Sequence, residues 1–92
     1  MFDVPNGVTT IGEESFWGGN HLKRITLPNS VTSIGDFAFG ECMYLCKVVI
    51  PSTVTKMGED CFYLSENVII YCQEGSCAHK YAKKNHIKFV LN

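Results

Sequence analysis

The chain has 92 residues, 46% of them apolar, with a formal net charge of −1 and a pI near 6.3. That length suits one compact unit around one core and leaves no room for a second domain, and the near-neutral charge excludes a global attraction to nucleic acid or to anionic membranes. No apolar run approaches the roughly 18 residues of a membrane span, and Met1 to Gly7 lack the basic and apolar regions of an export signal, so no membrane insertion is expected.

The dominant pattern is an internal repeat. Pro5, Pro28 and Pro51 recur at an interval of 23 residues, and with them run Val8/Val31/Val54, Thr9/Thr32/Thr55, Gly12/Gly35/Gly58 and Phe16/Phe39/Phe62. Looser columns keep their chemistry: Ile11/Ile34/Met57 are apolar, Glu13/Asp36/Glu59 acidic, and Leu22/Leu45/Val68 aliphatic. A fixed period of this length is the signature of a solenoid, in which no single repeat buries its own apolar face and stacked neighbours do it together. One domain over 1–92 is expected, with coils at about 5–27, 28–50 and 51–72 and a cap at about 73–92.

In chain order, Met1 to Pro5 aligns with Arg24 to Pro28, so the chain is expected to begin inside a strand. Phe2, Val4, Val8 and Ile11 then belong to a coil with no predecessor. An unpaired strand edge recruits other chains, which makes self-association through the N-terminal coil an expectation. Leu22 to Leu27 ends in period-two alternation, with Ile25 and Leu27 facing one side and Arg24 and Thr26 the other. The next coil repeats this, Val48 and Ile50 inward and Lys47 and Val49 outward, and Pro28 and Pro51 close the strands by removing a ladder donor. Strands recurring at one interval must run parallel. Val31 and Ile34 return to the core, Gly35 is read as allowing a turn, and the acidic column is read as capping a short helical or 3₁₀ segment that carries Phe39. Val68 and Ile70 are expected to face inward in a third strand. A turn near Gln73 to Gly75 leads to a helix from about Cys77 to Lys84, with Ser76 as N-cap and Ala78, Tyr81 and Ala82 as its apolar stripe. Asn85 is a plausible stop, and Ile87, Phe89 and Leu91 alternate as a last strand.

The segment Ile-Thr-Leu-Pro-Asn-Ser-Val-Thr-Ser-Ile-Gly-Asp-Phe-Ala-Phe at positions 25–39 resembles the repeat of the BspA-like leucine-rich repeat family, and the likeness runs from Val4 onward, with the last coil diverging after Phe62. The Gly-Ser-x-Ala-x-x-Tyr-Ala stretch resembles the C-terminal cap of such proteins. The resemblance implies an α/β fold: a right-handed leucine-rich repeat solenoid with a short parallel sheet and a C-terminal capping helix. It also implies surface or secreted proteins that bind host or neighbouring-cell molecules, with a cytoplasmic location as the alternative, and it implies no catalytic residues.

Leucine-rich repeats commonly bind on the outward face of the sheet, which here collects Asp3, Arg24, Thr26, Lys47, Val49, Ile69 and Tyr71. Arg24 beside Lys47, flanked by Val49, Ile69 and Tyr71, would suit an acidic, partly aromatic protein or glycan surface; the plain alternative is a solvated face without a ligand. A noncatalytic binding module follows, and the alternative role is a structural capping or oligomerisation segment of a longer array. Trp17 shares a column with Tyr63, and His21 with Tyr44, on the side away from the sheet. Exposed aromatics anchor contacts, although Gly40 interrupts the first column and each ring packed over its own turn is the simpler expectation.

Of the five cysteines, Cys61 fills a small-residue slot shared with Ser15 and Ala38, Cys42 is read as a buried small hydrophobe, and Cys46 as more exposed; an odd count favours reduced thiols. Cys72, Cys77, His79 and His86 gather in the cap, but their spacing matches no zinc pattern, so neither metal nor cofactor is expected. Cys77 at a helix start is the best candidate for a reactive thiol. Lys80, Lys83, Lys84, His86 and Lys88 make the cap basic without a nucleic-acid recognition motif, so no nucleic-acid partner is expected.

Overall fold

The computed structural model describes residues 2–19 and 21–92. The expectations for the side chains of Phe2 and Asp3 lie outside what is described. Eight strands and one helix appear in chain order among the described residues: β1 (Phe2–Asp3), β2 (Thr10–Ile11), β3 (Arg24–Thr26), β4 (Ser33–Ile34), β5 (Lys47–Val49), β6 (Lys56–Met57), β7 (Ile69–Cys72), α1 (Cys77–Lys84) and β8 (Lys88–Leu91). They form a parallel-strand solenoid. The main sheet has the order β1-β3-β5-β7-β8, and a second, narrow sheet has the order β2-β4-β6.

The period fixes the register. Phe2, Ile25 and Val48 are paired along one row at 23-residue steps, and the row continues to Ile70 after a step of 22, one residue short of the period. Alternation places Ile25, Leu27, Val48, Ile50, Val68 and Ile70 in the core, as the pattern predicts. The narrow sheet was not read from the sequence. Its strands are two residues long, too short to show alternation, yet Ile11 pairs with Ile34 and Ile34 with Met57. Val4 and Ile11 of the first coil are buried and Val8 is half-buried, so this chain already covers most of that coil's described apolar side chains.

The third side of each coil differs from the expected helical segment. It is a run of turns in which alternate amides bond within the coil and across to the next one. Ser15 N donates to Gly12 O and Trp17 N to Glu14 O, whereas Glu14 N donates to Asp36 O, Phe16 N to Ala38 O and Gly18 N to Gly40 O. The same alternation recurs one coil later, with Phe37, Phe39 and Glu41 donating to Glu59, Cys61 and Tyr63. Left-handed backbone at Glu14, Phe37 and Asp60 (φ of 56°, 55° and 50°) turns every second amide outward and prevents a helix. The acidic column therefore caps no helix. Asp36 instead accepts Glu59 N at 2.8 Å, joining two coils, while Glu13 and Glu59 are exposed.

The glycine column also has a different cause from the turn expected at Gly35. A Cβ on Gly58 would lie 2.1 Å from Asp36 Oδ1 and 2.7 Å from Asp36 N, and one on Gly35 would lie 2.8 Å from Glu13 N. Close approach between coils, not an unusual φ, requires glycine here. Inside, the three repeated phenylalanines stack face to face: Phe16 and Phe39 at 5.1 Å and 1°, Phe39 and Phe62 at 5.3 Å and 7°.

Helix α1 has the expected bounds, with Ser76 as N-cap and Asn85 as C-cap. Ser76 Oγ accepts His79 N at 3.2 Å, and His79 Nδ1 reaches back one residue beyond the N-cap to accept Gly75 N at 2.9 Å, so both side chains bond to backbone at the helix start. Ala78 and Ala82 are buried, and the Tyr81 hydroxyl accepts Cys61 N at 3.0 Å on the last turn run. Strand β8 pairs with β7 in parallel, Ile69 with Lys88 through Cys72 with Leu91, and all four of its residues are exposed. The alternation of Phe89 and Leu91 thus marks the strand but buries neither ring nor leucine.

Candidate functional site

The main sheet carries the predicted face in register. Arg24 lies beside Lys47, and Thr26 beside Val49, which lies beside Tyr71. Parallel pairing sets neighbouring strands about 4.8 Å apart, so these side chains form two adjacent rows across the sheet. Arg24 and Thr26 are exposed; Lys47, Val49, Ile69 and Tyr71 are half-buried. The half-burial of Lys47 and Tyr71 has a specific cause, because the Lys47 ammonium lies 4.6 Å from the centroid of the Tyr71 ring. That contact holds the lysine across the rows instead of letting it extend into water.

Sequence reasoning missed the extension of this face by β8. Lys88 lies beside Ile69 and Val90 beside Tyr71, which adds a third cation to Arg24 and Lys47 and a third aliphatic residue to Val49 and Ile69. The strand itself was legible from Ile87, Phe89 and Leu91, but its partner was not, because the 23-residue period stops before it. Chemically the face offers separated cations above a shallow apolar and aromatic floor, an arrangement that pairs with carboxylate or sulfate groups borne on a partly apolar surface.

On the turn side, Trp17 and Tyr63 do not pack separately over their own turns. Their rings lie 6.1 Å apart at 16°, and Phe37 meets both edge-on, at 6.0 Å from Trp17 and 5.5 Å from Tyr63. Gly40 makes this possible instead of interrupting it: a Cβ there would sit 2.3 Å from two carbons of the Trp17 ring. Tyr44 and His21 are both exposed.

Cysteines 42, 46, 61, 72 and 77 are all free thiols. Burial pushes the thiols of Cys42, Cys61 and Cys72 up from their ordinary value. Cys42 Sγ lies 3.1 Å from Phe16 O, and Cys61 Sγ 3.4 Å from both Gly35 O and Gly58 O, as small donors inside the stack. Cys46 is exposed and Cys77 half-buried. In α1, His79 is held by Gly75 N and by the Phe89 ring at 4.8 Å. No group of three metal-ligating side chains occurs among the described residues. Burial also raises the Tyr81 hydroxyl well above its ordinary value, which keeps it protonated where it meets Cys61 N.

Parallel strands at a fixed period, a strand-turn-strand-turn coil and a stacked phenylalanine column define a leucine-rich repeat protein. A model of the BspA type leucine-rich repeat region (6 copies) matches residues 1–84, and the chain belongs to that family. No curated protein and no solved structure gives a significant match.

Proposed function

We propose that this chain is a noncatalytic binding module whose main-sheet face, formed by Arg24, Thr26, Lys47, Val49, Ile69 and Tyr71, recognises an acidic protein or glycan surface. The observation that carries this reading is the registered pair of rows in which Arg24 stands beside Lys47, Thr26 beside Val49, and Val49 beside Tyr71. Membership of a repeat family used for binding supports it, and with it a cell-surface or secreted location, a right-handed course of the coils and a capping role for α1. The helix contacts β6, β7 and β8, and its Tyr81 hydroxyl occupies the last turn run.

That same packing favours a second reading, in which these coils and the helix mainly seal or join a longer array, with the β1 edge meeting a further coil or a second copy. Retention on a sulfated-glycan resin and on an immobilised acidic protein separates the two. The binding reading expects the triple substitution Arg24→Ala, Lys47→Ala, Tyr71→Ala to abolish retention while moving the urea midpoint little. Equal retention of both proteins, or none by either, would refute it.

A further inference from the structure

The turn side carries a second surface of opposite charge. Trp17, Phe37 and Tyr63 form one aromatic cluster there, and Trp17 and Tyr63 remain 41% and 42% exposed. Large aromatics left this open and gathered into one group mark contact surfaces more often than isolated apolar residues do. The cluster is assembled at places where the repeat is broken. The Trp17 column continues as Gly40 and then Tyr63, and the Phe37 column has Glu14 before it and Asp60 after it. A side chain at Gly40 would collide with the Trp17 ring and break the cluster.

The surroundings specify the partner's charge. Glu14, Phe37 and Asp60 share the same left-handed backbone conformation on successive coils, so Glu14 and Asp60 leave the surface in the same sense as Phe37, one coil to either side. Glu41 follows Gly40 directly, and its amide is bonded to Tyr63 O. No ion pair or side-chain hydrogen bond engages these three carboxylates among the described residues. A ring face attracts a cation, and the carboxylates of Glu14 and Asp60, one coil to either side of Phe37, add to that attraction, whereas a neutral or acidic partner would gain from the rings alone. A planar guanidinium suits both features, because it stacks on an aromatic face and forks onto a carboxylate.

We propose that this acidic aromatic surface binds an arginine-bearing segment of a basic polypeptide. The site is separate from the basic main-sheet face and does not depend on that face having a ligand. Arginine side chains stack on Trp17 and Tyr63 and pair with Glu14, Glu41 and Asp60.

Trp17 is the single tryptophan of the chain, so its emission reports on the surface directly. The full chain is titrated with a synthetic peptide of alternating arginine and glycine, and with the same peptide carrying citrulline, the neutral isostere of arginine. The expected result is a saturable change in Trp17 emission with the arginine peptide and at least about tenfold weaker binding of the citrulline peptide, since each tenfold corresponds to one lost charge-assisted contact of ordinary strength. Raising the salt concentration weakens the first and not the second. The Glu14→Gln, Glu41→Gln, Asp60→Asn variant loses the arginine-peptide response, while the Arg24→Ala, Lys47→Ala, Tyr71→Ala variant keeps it and so separates this surface from the sheet. Equal binding of the two peptides, no saturable response, or a response to a neutral oligosaccharide such as maltohexaose that survives the carboxylate substitutions would overturn the proposal. A change in Trp17 emission with protein concentration alone, matched by dimer formation in sedimentation, would overturn it in favour of a second copy of the chain.

Discussion

Replacing Phe39 by alanine tests the internal architecture most directly. Its ring has no exposed surface and lies between two others, with centroids at 5.1 Å and 5.3 Å and planes within 7° of its own. Deleting a buried phenylalanine costs about 3–5 kcal/mol from lost transfer energy and the cavity left behind. The upper half of that range applies here, because the phenylalanines above and below are fixed by bonds between coils: Phe16 N donates to Ala38 O, and Phe39 N to Cys61 O at 2.7 Å. Collapse onto the cavity would have to break them. Against a total stability of roughly 5–15 kcal/mol for a domain, the variant should be marginal. With a urea slope of about 1.5 kcal/mol per molar, a loss of ~4 kcal/mol moves the midpoint down by roughly 2.5 M. Phe39→Leu keeps most of the volume and loses the two stacked contacts, worth about 0.5–1.5 kcal/mol each, so it should fall between wild type and alanine. Equilibrium urea unfolding followed by far-UV circular dichroism measures both. A loss below about 1 kcal/mol for Phe39→Ala would mean that the stack is not the spine of the fold.

Two further predictions concern the spacing of the coils and the buried thiols. Gly58→Ala places a methyl group 2.7 Å from the Asp36 amide nitrogen and 3.0 Å from the Gly35 carbonyl carbon, both backbone atoms that cannot rotate away. It should cost about 1–3 kcal/mol by overpacking, read as a fall in the melting temperature; a neutral result would show that the coils separate freely. The thiols of Cys42, Cys61 and Cys72, ordinarily titrating near 9.0, are raised by burial, as is the Tyr81 hydroxyl. Above pH 9 the unfolded chain releases these protons while the native chain retains them, so the native state binds more protons and stability falls with rising pH; below that range these groups leave stability flat. Urea midpoints under reducing conditions should therefore decline from about pH 9 upward, and the decline should be shallower when the three cysteines are replaced by alanine. A constant midpoint to pH 10.5 would contradict the burial of these groups.

What could be read from the sequence was what the period repeats. Ile25, Val48 and Ile70 alternate with outward residues, so the main strands, their direction and their inner face followed from spacing alone. Helix α1 followed from Ser76, Asn85 and the Ala78–Ala82 stripe, all local signals. The turn run did not follow, because an acid before a short apolar stretch reads as a helix start, and the pattern carries no mark of left-handed backbone at Glu14, Phe37 and Asp60. Bonds from one coil to the next replace the bonds within a helix there, and such contacts have no local signature. The pairing of β8 escaped for the same reason: the strand itself was legible from Ile87, Phe89 and Leu91, but no repeat interval ties it to β7. Of the candidate site, the composition of the sheet face was legible and the Lys47–Tyr71 contact was not, since it is diagonal and depends on which rotamer reaches across.

A solenoid divides its information between columns that repeat and columns that do not. Every repeated column has a structural cause: proline ends a strand, phenylalanine fills the spine, and glycine lets one coil approach the next to within a backbone contact. A residue that appears once serves that purpose only where it joins two coils, as Ser65 does by accepting Cys42 N and donating to Phe39 O. Trp17, Gly40 and Tyr63 break a column, and so do Glu14, Phe37 and Asp60, yet the rings of Trp17, Phe37 and Tyr63 meet in one cluster. Arg24 and Lys47 repeat their charge, whereas Tyr71 replaces the Thr26 and Val49 of its row and draws Lys47 over its ring. The turn-side surface therefore arises where the chain departs from its own period, and the sheet face joins a repeated charge at Arg24 and Lys47 to the departure at Tyr71. Substitutions at either proposed surface should alter binding and spare the fold, and substitutions in the phenylalanine and glycine columns should do the reverse.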